Sequence, residues 1–472
     1  MNITIPQFKT NDKFINRAFR TAYSDIIGSV WKHQNGLLTE PCEVILAGMG
    51  YYEPWTRDTA INVWNCCGLL LPEASKNTLI SVLCEDEHGL RVGGEYWDAV
   101  IWITGAWNYY LYTGDREFLA MAYTAAQNTI KYFENTEFDE SLNLFRGPAC
   151  YGDGVAAYPD IYAEGGMSGI ISFTDFHPEL KAERGVGIPM YCLSTNCLYY
   201  NGYVLADKMA DTLGYDRAYE EKARMMRQAI NKHFWLEDKG YYRYIVDDFG
   251  SCDHQEGLGH SFAILFGVAN EEQTRRILEN QYMTEQGISC VWPTFKRYSR
   301  CGEEQYGRHS GVIWPHVEGF WADAATKNGR LDVLEKELRV MTDRAVRDGH
   351  FAEIYHPTTG EMYGGMQEDC GRGIRSWRSV VKQTWSATSY IRMILMDIIG
   401  MSFTETGITF APNMVAGLEN IELENITYRG SNLNVSVNGG GKKVKSISVN
   451  GKTCDMLVPT GDEVYNVVIC ME

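Results

Sequence analysis

The sequence predicts a mainly α protein in which six helical hairpins close into a double ring, followed by a small antiparallel β domain. Three observations lead there. Twelve stretches before about residue 400 carry a 3.6-residue apolar period. The connections between them alternate between short and long. From about Gly407 the period falls to two.

The helical stretches are roughly 12–33, 58–71, 74–84, 97–113, 116–135, 188–213, 215–234, 256–268, 271–281, 311–328, 330–347 and 382–399. Tight turns at Pro72-Glu73, Thr113-Gly-Asp115, Gly214, Asn270 and Gly329 make antiparallel neighbours within pairs. Longer loops rich in Gly, Trp, Tyr, Asp and Glu arrive at every second helix: 34–57, 85–96, 136–187, 235–255, 282–310 and 348–381. The even helices then form the inner ring, apolar nearly all round, with their N-termini at one funnel. Gly105, Ala106 and Gly319 permit close packing there. Period-two segments at 408–410, 421–428, 433–437, 444–449 and 464–469, with a hairpin turn at Asn450-Gly451, form the tail. The predicted division is 1–402 for the helical domain and 403–472 for the sheet.

Composition narrows the function. The 472 residues are 45% hydrophobic, and no apolar run reaches membrane-spanning length. The N-terminus shows no signal-peptide pattern, which predicts a cytoplasmic protein. Thirteen cysteines lack metal-ligand spacing and read as reduced thiols. A net charge of −18 argues against nucleic acid and anionic membranes and suits a neutral substrate. No cofactor and no metal are expected, and the sequence does not set an oligomeric state.

The long loops hold the chemistry. Trp55, Arg57 and Asp58 put an aromatic face, a fork of donors and an acceptor side by side, which complements the apolar face and hydroxyl rim of a sugar. The second loop gives Glu95, Trp97 and Asp98, and the third gives Tyr151 and Asp153. Trp314 and His316 follow the fifth loop, Glu353 lies in the sixth, and Gln383 and Trp385 open the last helix. Simpler roles compete: helix capping for Asp58 and Asp98, a turn for Asp153, a core imidazole for His316, and loop acids at Glu164 and Glu256. Glycoside hydrolysis needs two carboxyls on opposite sides of the scissile bond, which loops three and six can supply.

Trp55-Thr-Arg-Asp-Thr59, Tyr96-Trp-Asp-Ala-Val-Ile-Trp102, Ile313-Trp-Pro315, Glu353-Ile-Tyr355 and Gln383-Thr-Trp-Ser386 together resemble the six-hairpin, (α/α)6-barrel glycosidases. The patterns are similar to the glucosidase domain of glycogen debranching enzyme and to mannosyl-oligosaccharide glucosidases, over about residues 12–400. The tail resembles the sheet of α-L-rhamnosidases and some disaccharide phosphorylases. The resemblance implies that Arg57 and Asp58 grip the terminal sugar, that Glu353 is the general base and that Asp153 is the general acid. Asp98 or Glu95 is the competing acid. It further implies an inverting, exo-acting hydrolase of an α-linked terminal sugar on an oligosaccharide or glycoside, with the acid's pKa raised by burial against Tyr151. A rhamnosidase-like hydrolase, a glycan phosphorylase using Arg372, Arg375 and Arg378 for phosphate, and a non-catalytic sugar binder are the alternatives.

Overall fold

A computed structural model describes residues 5–249, 251–415 and 417–472. The first four residues, part of the stretch on which signal-peptide absence was read, lie outside it. Helices followed by a sheet are what the chain forms. The principal helices are α1 (Lys13–Gly28), α2 (Thr56–Asn62, continued through 70), α3 (Pro72–Ser81), α4 (Ile101–Thr113), α5 (Arg116–Thr136) and α6 (Leu193–Leu213). The second half adds α7 (Glu220–Phe234), α8 (Gly257–Leu265), α9 (Glu271–Asn280), α10 (Pro315–Thr326), α11 (Leu331–Asp348) and α12 (Thr384–Arg392).

Every residue of α10 and α12, and every residue of Thr56–Asn62, is buried, whereas α5, α7 and α11 bury one stripe. The packing order is cyclic. Helix α2 packs on α4, α4 on α6, α6 on α8, α8 on α10, α10 on α12, and α12 returns to α2. The alternate helices cover this set: α3 lies on α4, α5 on α4 and α6, α7 on α6, α11 on α10, and α1 on α11 and α12. Two inner helices depart from regular α geometry. Val63–Cys67 and Met393–Ile398 are π-helical turns that extend α2 and α12.

The C-terminal strands are β2 (Met401–Phe403), β3 (Ile408–Phe410), β4 (Asn420–Tyr428), β5 (Ser431–Asn438), β6 (Val444–Val449), β7 (Lys452–Thr453), β8 (Met456–Leu457) and β9 (Val464–Met471), joined by β1 (Gln7–Thr10) from the N-terminus. The main sheet has the order β1-β4-β5-β9-β6-β7, antiparallel except for β5 and β9. Asn450 and Gly451 both have positive φ in the β6–β7 turn, as an Asn-Gly hairpin requires. Strand β1 was not foreseen. Its alternation is only four residues long, and its register opposite 421–424 is set by a partner about four hundred residues away.

Several helix boundaries differ from the sequence reading; the starts expected at 97, 188 and 311 fall at Ile101, Leu193 and Pro315. The stretch 12–33 stops at Gly28, because Val30–His33 pairs with Cys42–Ile45 as a hairpin. The stretch 215–234 begins only at Glu220. The small-residue contacts are real. A Cβ on Gly105 would lie 2.8 Å from the Cα of Ala60, and one on Gly319 would lie 2.8 Å from the Cβ of Ser389. Gly105→Val should therefore destabilise the fold by about 1–3 kcal/mol through overpacking of α2 against α4, as read from the urea unfolding midpoint.

Candidate active site

The loops before α2, α6, α10 and α12 meet at one cavity of about 100 Å³. It is lined by Trp55, Arg57, Asp58, Tyr151, Asp153, Trp314, Glu353, Gln383 and Trp385 from the expected set. Tyr51, Arg308 and His309 line it as well and were not foreseen. They carry no motif: Arg308 and His309 sit alone in a long loop, and only their partners reveal them.

Glu353 is fixed from both sides. Its backbone N–H donates to Val380, and the neighbouring residues pair as short bridges, Ala352 with Val381 and Tyr355 with Ile313. The carboxylate accepts from Arg308 Nη2 at 2.6 Å and from the Tyr51 hydroxyl at 3.4 Å. Asp153 comes from the far side. Its carbonyl accepts from Ile170 N–H at 2.8 Å, and Gly154 bridges to Gly169. The glycine is needed, since a Cβ at position 154 would lie 2.7 Å from the His309 ring. His309 Nε2 meets Asp153 Oδ1 at 3.2 Å, and its ring stacks on Trp314.

The electrostatics correct one expectation. Burial pushes the Asp153 carboxyl up, but the hydrogen bond and charge of His309, with Arg57 and Arg308 behind them, outweigh it and hold the group well below the usual carboxylate range. Its side chain is nonetheless 52% exposed. His309 is itself held below the ordinary imidazole value, by burial first and against the pull of Asp153. Asp58 behaves oppositely. Burial raises it to about 7 against the pull of Arg57, with Glu353 and Asp153 adding to the rise.

Four expected residues stand outside the cavity lining. Glu95 and Asp98 turn to Arg57, at 3.3 Å and 3.5 Å, and burial raises both carboxyls. Asp98 is a partner of Arg57, and the helix it precedes begins only at Ile101. Trp97 is fully buried beside Gly147 and walls the core, not the cavity. Its indole follows the apolar side of the turn into α4, edge-on to Tyr96. His316 lies behind the wall, stacked on Trp385 at 4.2 Å, with burial holding its ring far below the ordinary imidazole value. Glu256, read as a loop acid, is buried; it accepts from Ser194 N–H at 3.0 Å at the start of α6, and desolvation raises it to about 8. Among the arginines considered for phosphate, Arg372 and Arg375 are exposed and share Asp369.

Comparison with known proteins puts this arrangement among the six-hairpin glycosidases, as the motif series implied. The chain belongs to the mannosylglycerate hydrolase MGH1-like glycoside hydrolase domain family, whose model matches residues 99–386. It is 24% identical over 342 residues to the N,N'-diacetylchitobiose phosphorylase of Vibrio proteolyticus, covering 63% of this chain and 42% of that protein. It is 28% identical over 167 residues to a mannosylglycerate hydrolase of Rubrobacter radiotolerans, covering 33% of this chain and 36% of that one. The matches thus span less than half the length of either curated relative. Similar solved structures include a sialidase (TM-score 0.68, 14% identity, 99% of this chain and 41% of that chain). The GH63 mannosylglycerate hydrolase of Thermus thermophilus in complex with glucose has a TM-score of 0.60 at 14% identity, over 80% of this chain and 100% of that chain. At these identities the structural likeness speaks for the fold alone. No helix among the described residues is long and apolar enough to cross a membrane.

Arg57 joins three loops. Its side chain is 6% exposed, pairs with Glu95 and Asp98, and donates from Nη1 to the Cys150 carbonyl at 2.6 Å. Arg57→Met would leave a buried carboxylate without its cation, and we expect a loss of about 3–5 kcal/mol in the free energy of unfolding, measured by denaturant titration. Unchanged stability would mean that the three loops are held by other contacts.

Proposed function

We propose that this chain is an inverting, exo-acting glycoside hydrolase that removes an α-linked terminal sugar, with a catalytic domain within 1–402 built as an (α/α)6 barrel and a 403–472 sheet domain that β1 from the N-terminus joins. The cyclic packing of the even helices supports the barrel. The observation that carries the reaction is that Asp153 and Glu353, from loops two hundred residues apart, line one small cavity with different partners. Glu353 is the general base: ion-paired to Arg308, it would take a proton from the attacking water. Asp153 is the general acid. A bound sugar would cover its exposed half, and desolvation would then favour the protonated form that gives its proton to the leaving oxygen. Trp55, Trp314 and Trp385 would wall the ring, and Asp58 and Arg57 would take its hydroxyls. The small cavity supports action at a chain end.

Hydrolysis is favoured over phosphorolysis by charge. A phosphate beside Glu353 would meet a second anion, and Arg308 is already neutralised by that carboxylate. Asp58 is the second candidate for the acid, because burial raises it to about 7 while Asp153 is held low.

Glu353→Gln should lower kcat by about 10²–10⁴-fold on an aryl α-glycoside in phosphate-free buffer, with an unchanged circular dichroism spectrum. Proton NMR of the first product should show the anomer opposite to that of the substrate. Retained activity in the variant removes Glu353 from the base role, and turnover that requires phosphate sinks hydrolysis. The pH profile separates the two acids. His309→Asn removes a donor that stabilises the Asp153 carboxylate, so the acid's pKa rises and the alkaline limb of kcat/KM moves to higher pH. A limb that stays in place would transfer the acid role to Asp58.

A further inference from the structure

Only one of the two ring nitrogens of His309 has a partner. Nε2 faces Asp153 at 3.2 Å. Nδ1 is buried and has no hydrogen-bond partner among the described residues. A buried ring nitrogen left unpaired is costly in either form, as a bare acceptor or as an N–H. A second buried orphan lies beside it. Gln367 is 5% exposed, and its Oε1 also lacks a partner among the described residues. The two atoms converge over Gly154. A Cβ at that position would run into Gln367 Oε1 and lie 2.9 Å from His309 Nδ1. Gly154 follows Asp153 directly, so both orphans flank the residue read as the acid.

Gln367 is held there from both sides. It is the middle residue of the short strand Met366–Glu368, which pairs with Ile374–Ser376. At one end Met366 N–H donates to the Tyr306 carbonyl at 2.8 Å, and the Met366 carbonyl accepts from Arg308 N–H at 2.9 Å. At the other end the Glu368 carbonyl accepts from Ser168 Oγ at 2.8 Å. The Glu368 carboxylate accepts from Arg297 Nε at 2.9 Å and from the Tyr298 hydroxyl at 2.7 Å. Arg297 also donates to the Val155 carbonyl at 2.8 Å. This strand therefore joins the loop that carries His309 to the loop that carries Asp153.

We infer that Gln367 is a positioning residue: its carboxamide pairs with His309 Nδ1 and so keeps Nε2–H turned to Asp153 whether the ring carries one proton or two. A singly protonated ring that donates from Nε2 has a bare Nδ1, which needs an N–H. A doubly protonated ring has an Nδ1–H, which needs an oxygen. A carboxamide offers both ends in one shape and turns between them about a single bond. An apolar side chain would serve neither form, and a carboxylate only the charged one. The charges around the ring decide how readily it takes its second proton. Burial first, with Arg308, opposes the charged ring, and Asp153, with Glu353 behind it, favours it. Glu368 is already ion-paired to Arg297, and burial holds His316 far below the ordinary imidazole value. The role assigned to Gln367 rests on the reading of Asp153 as the acid; the pairing itself does not.

Nitrogen-15 NMR of the whole chain, with the His309 signals identified by their loss in His309→Asn, tests the pairing. The native ring should keep Nε2 protonated throughout its titration, with Nδ1 hydrogen-bonded in the neutral form. Gln367→Met should move the neutral Nδ1 signal to that of a free imine nitrogen. It should also lower kcat about tenfold, the worth of one buried hydrogen bond, with a smaller change in KM. Gln367→Glu should make the ring take its second proton about tenfold more readily, and it guards against a Met variant that fails to fold. Shifted signals with an unmoved kcat would keep the pairing and count against Asp153 as the acid. Identical Nδ1 signals in the native chain and Gln367→Met, a neutral ring protonated on Nδ1, or a titration unmoved by Gln367→Glu overturns the inference.

Discussion

The buried guanidinium of Arg57 is the constraint on which the mouth depends. It stands in the first turn of α2, where every neighbour is buried, and it must be neutralised there. Glu95 and Asp98 do this from the turn before α4, and the Cys150 carbonyl takes a further N–H from the loop before α6. One rigid, planar fork thereby sets the mutual distances of three inner-helix entrances. Cys150 is three residues from Asp153, so the placement of that carboxyl in the cavity is coupled to the same fork. Burial first, and the neighbouring acids after it, raise the Asp58, Asp98 and Glu95 carboxyls against the pull of that one cation.

The inner helices were expected to be apolar nearly all round, and the contacts between α2 and α12 show a different solution. Gln383 donates to Asp58 at the mouth. One turn deeper, Thr388 donates to Asn62, and Asn65 donates to Thr388 and Ser389. Arg392 then reaches Asn65 and Asp323 at the far end. A line of hydrogen-bonded polar groups thus runs down the seam between the first and last inner helices. Such a seam fixes the pairing of α12 with α2 more specifically than apolar contact would, because a slipped register leaves buried donors unpaired. The π-helical turns lie within this seam, at Val63–Cys67 and Met393–Ile398.

What the sequence made legible follows from range. Helices, turns and the five tail strands were readable because period and turn chemistry act over a few residues. Trp55, Arg57 and Asp58 were readable as a site because their chemistry is contiguous. Arg308 and His309 were invisible because their meaning lies in Glu353 and Asp153, far away along the chain. The same limit hid β1, whose partner is β4. Trp97 and His316 were overvalued for the converse reason. A residue type suited to sugars, placed at a helix entrance, carries no signal of which side of the wall it faces. The π turns escaped because one inserted residue leaves a short apolar helix pattern nearly unchanged.

Two carboxyls can divide into an acid and a base only if their surroundings differ. Here the difference comes from two consecutive residues. Arg308 gives Glu353 a guanidinium, which cannot surrender a proton at any working pH. His309 gives Asp153 an imidazole that burial holds below its ordinary value against the pull of Asp153, a partner whose charge, unlike that of a guanidinium, can change with pH. In the proposed reaction Glu353 must be ionised when water attacks, whereas Asp153 must hold a proton at that same moment. A fixed cation suits the first requirement; Asp153, which Arg57 and Arg308 also help hold low, would gain its proton when the bound sugar desolvates it. In the proposed reaction the order of Arg308 and His309 along the loop before α10 thus gives the base a fixed cation and the acid a partner whose charge can change.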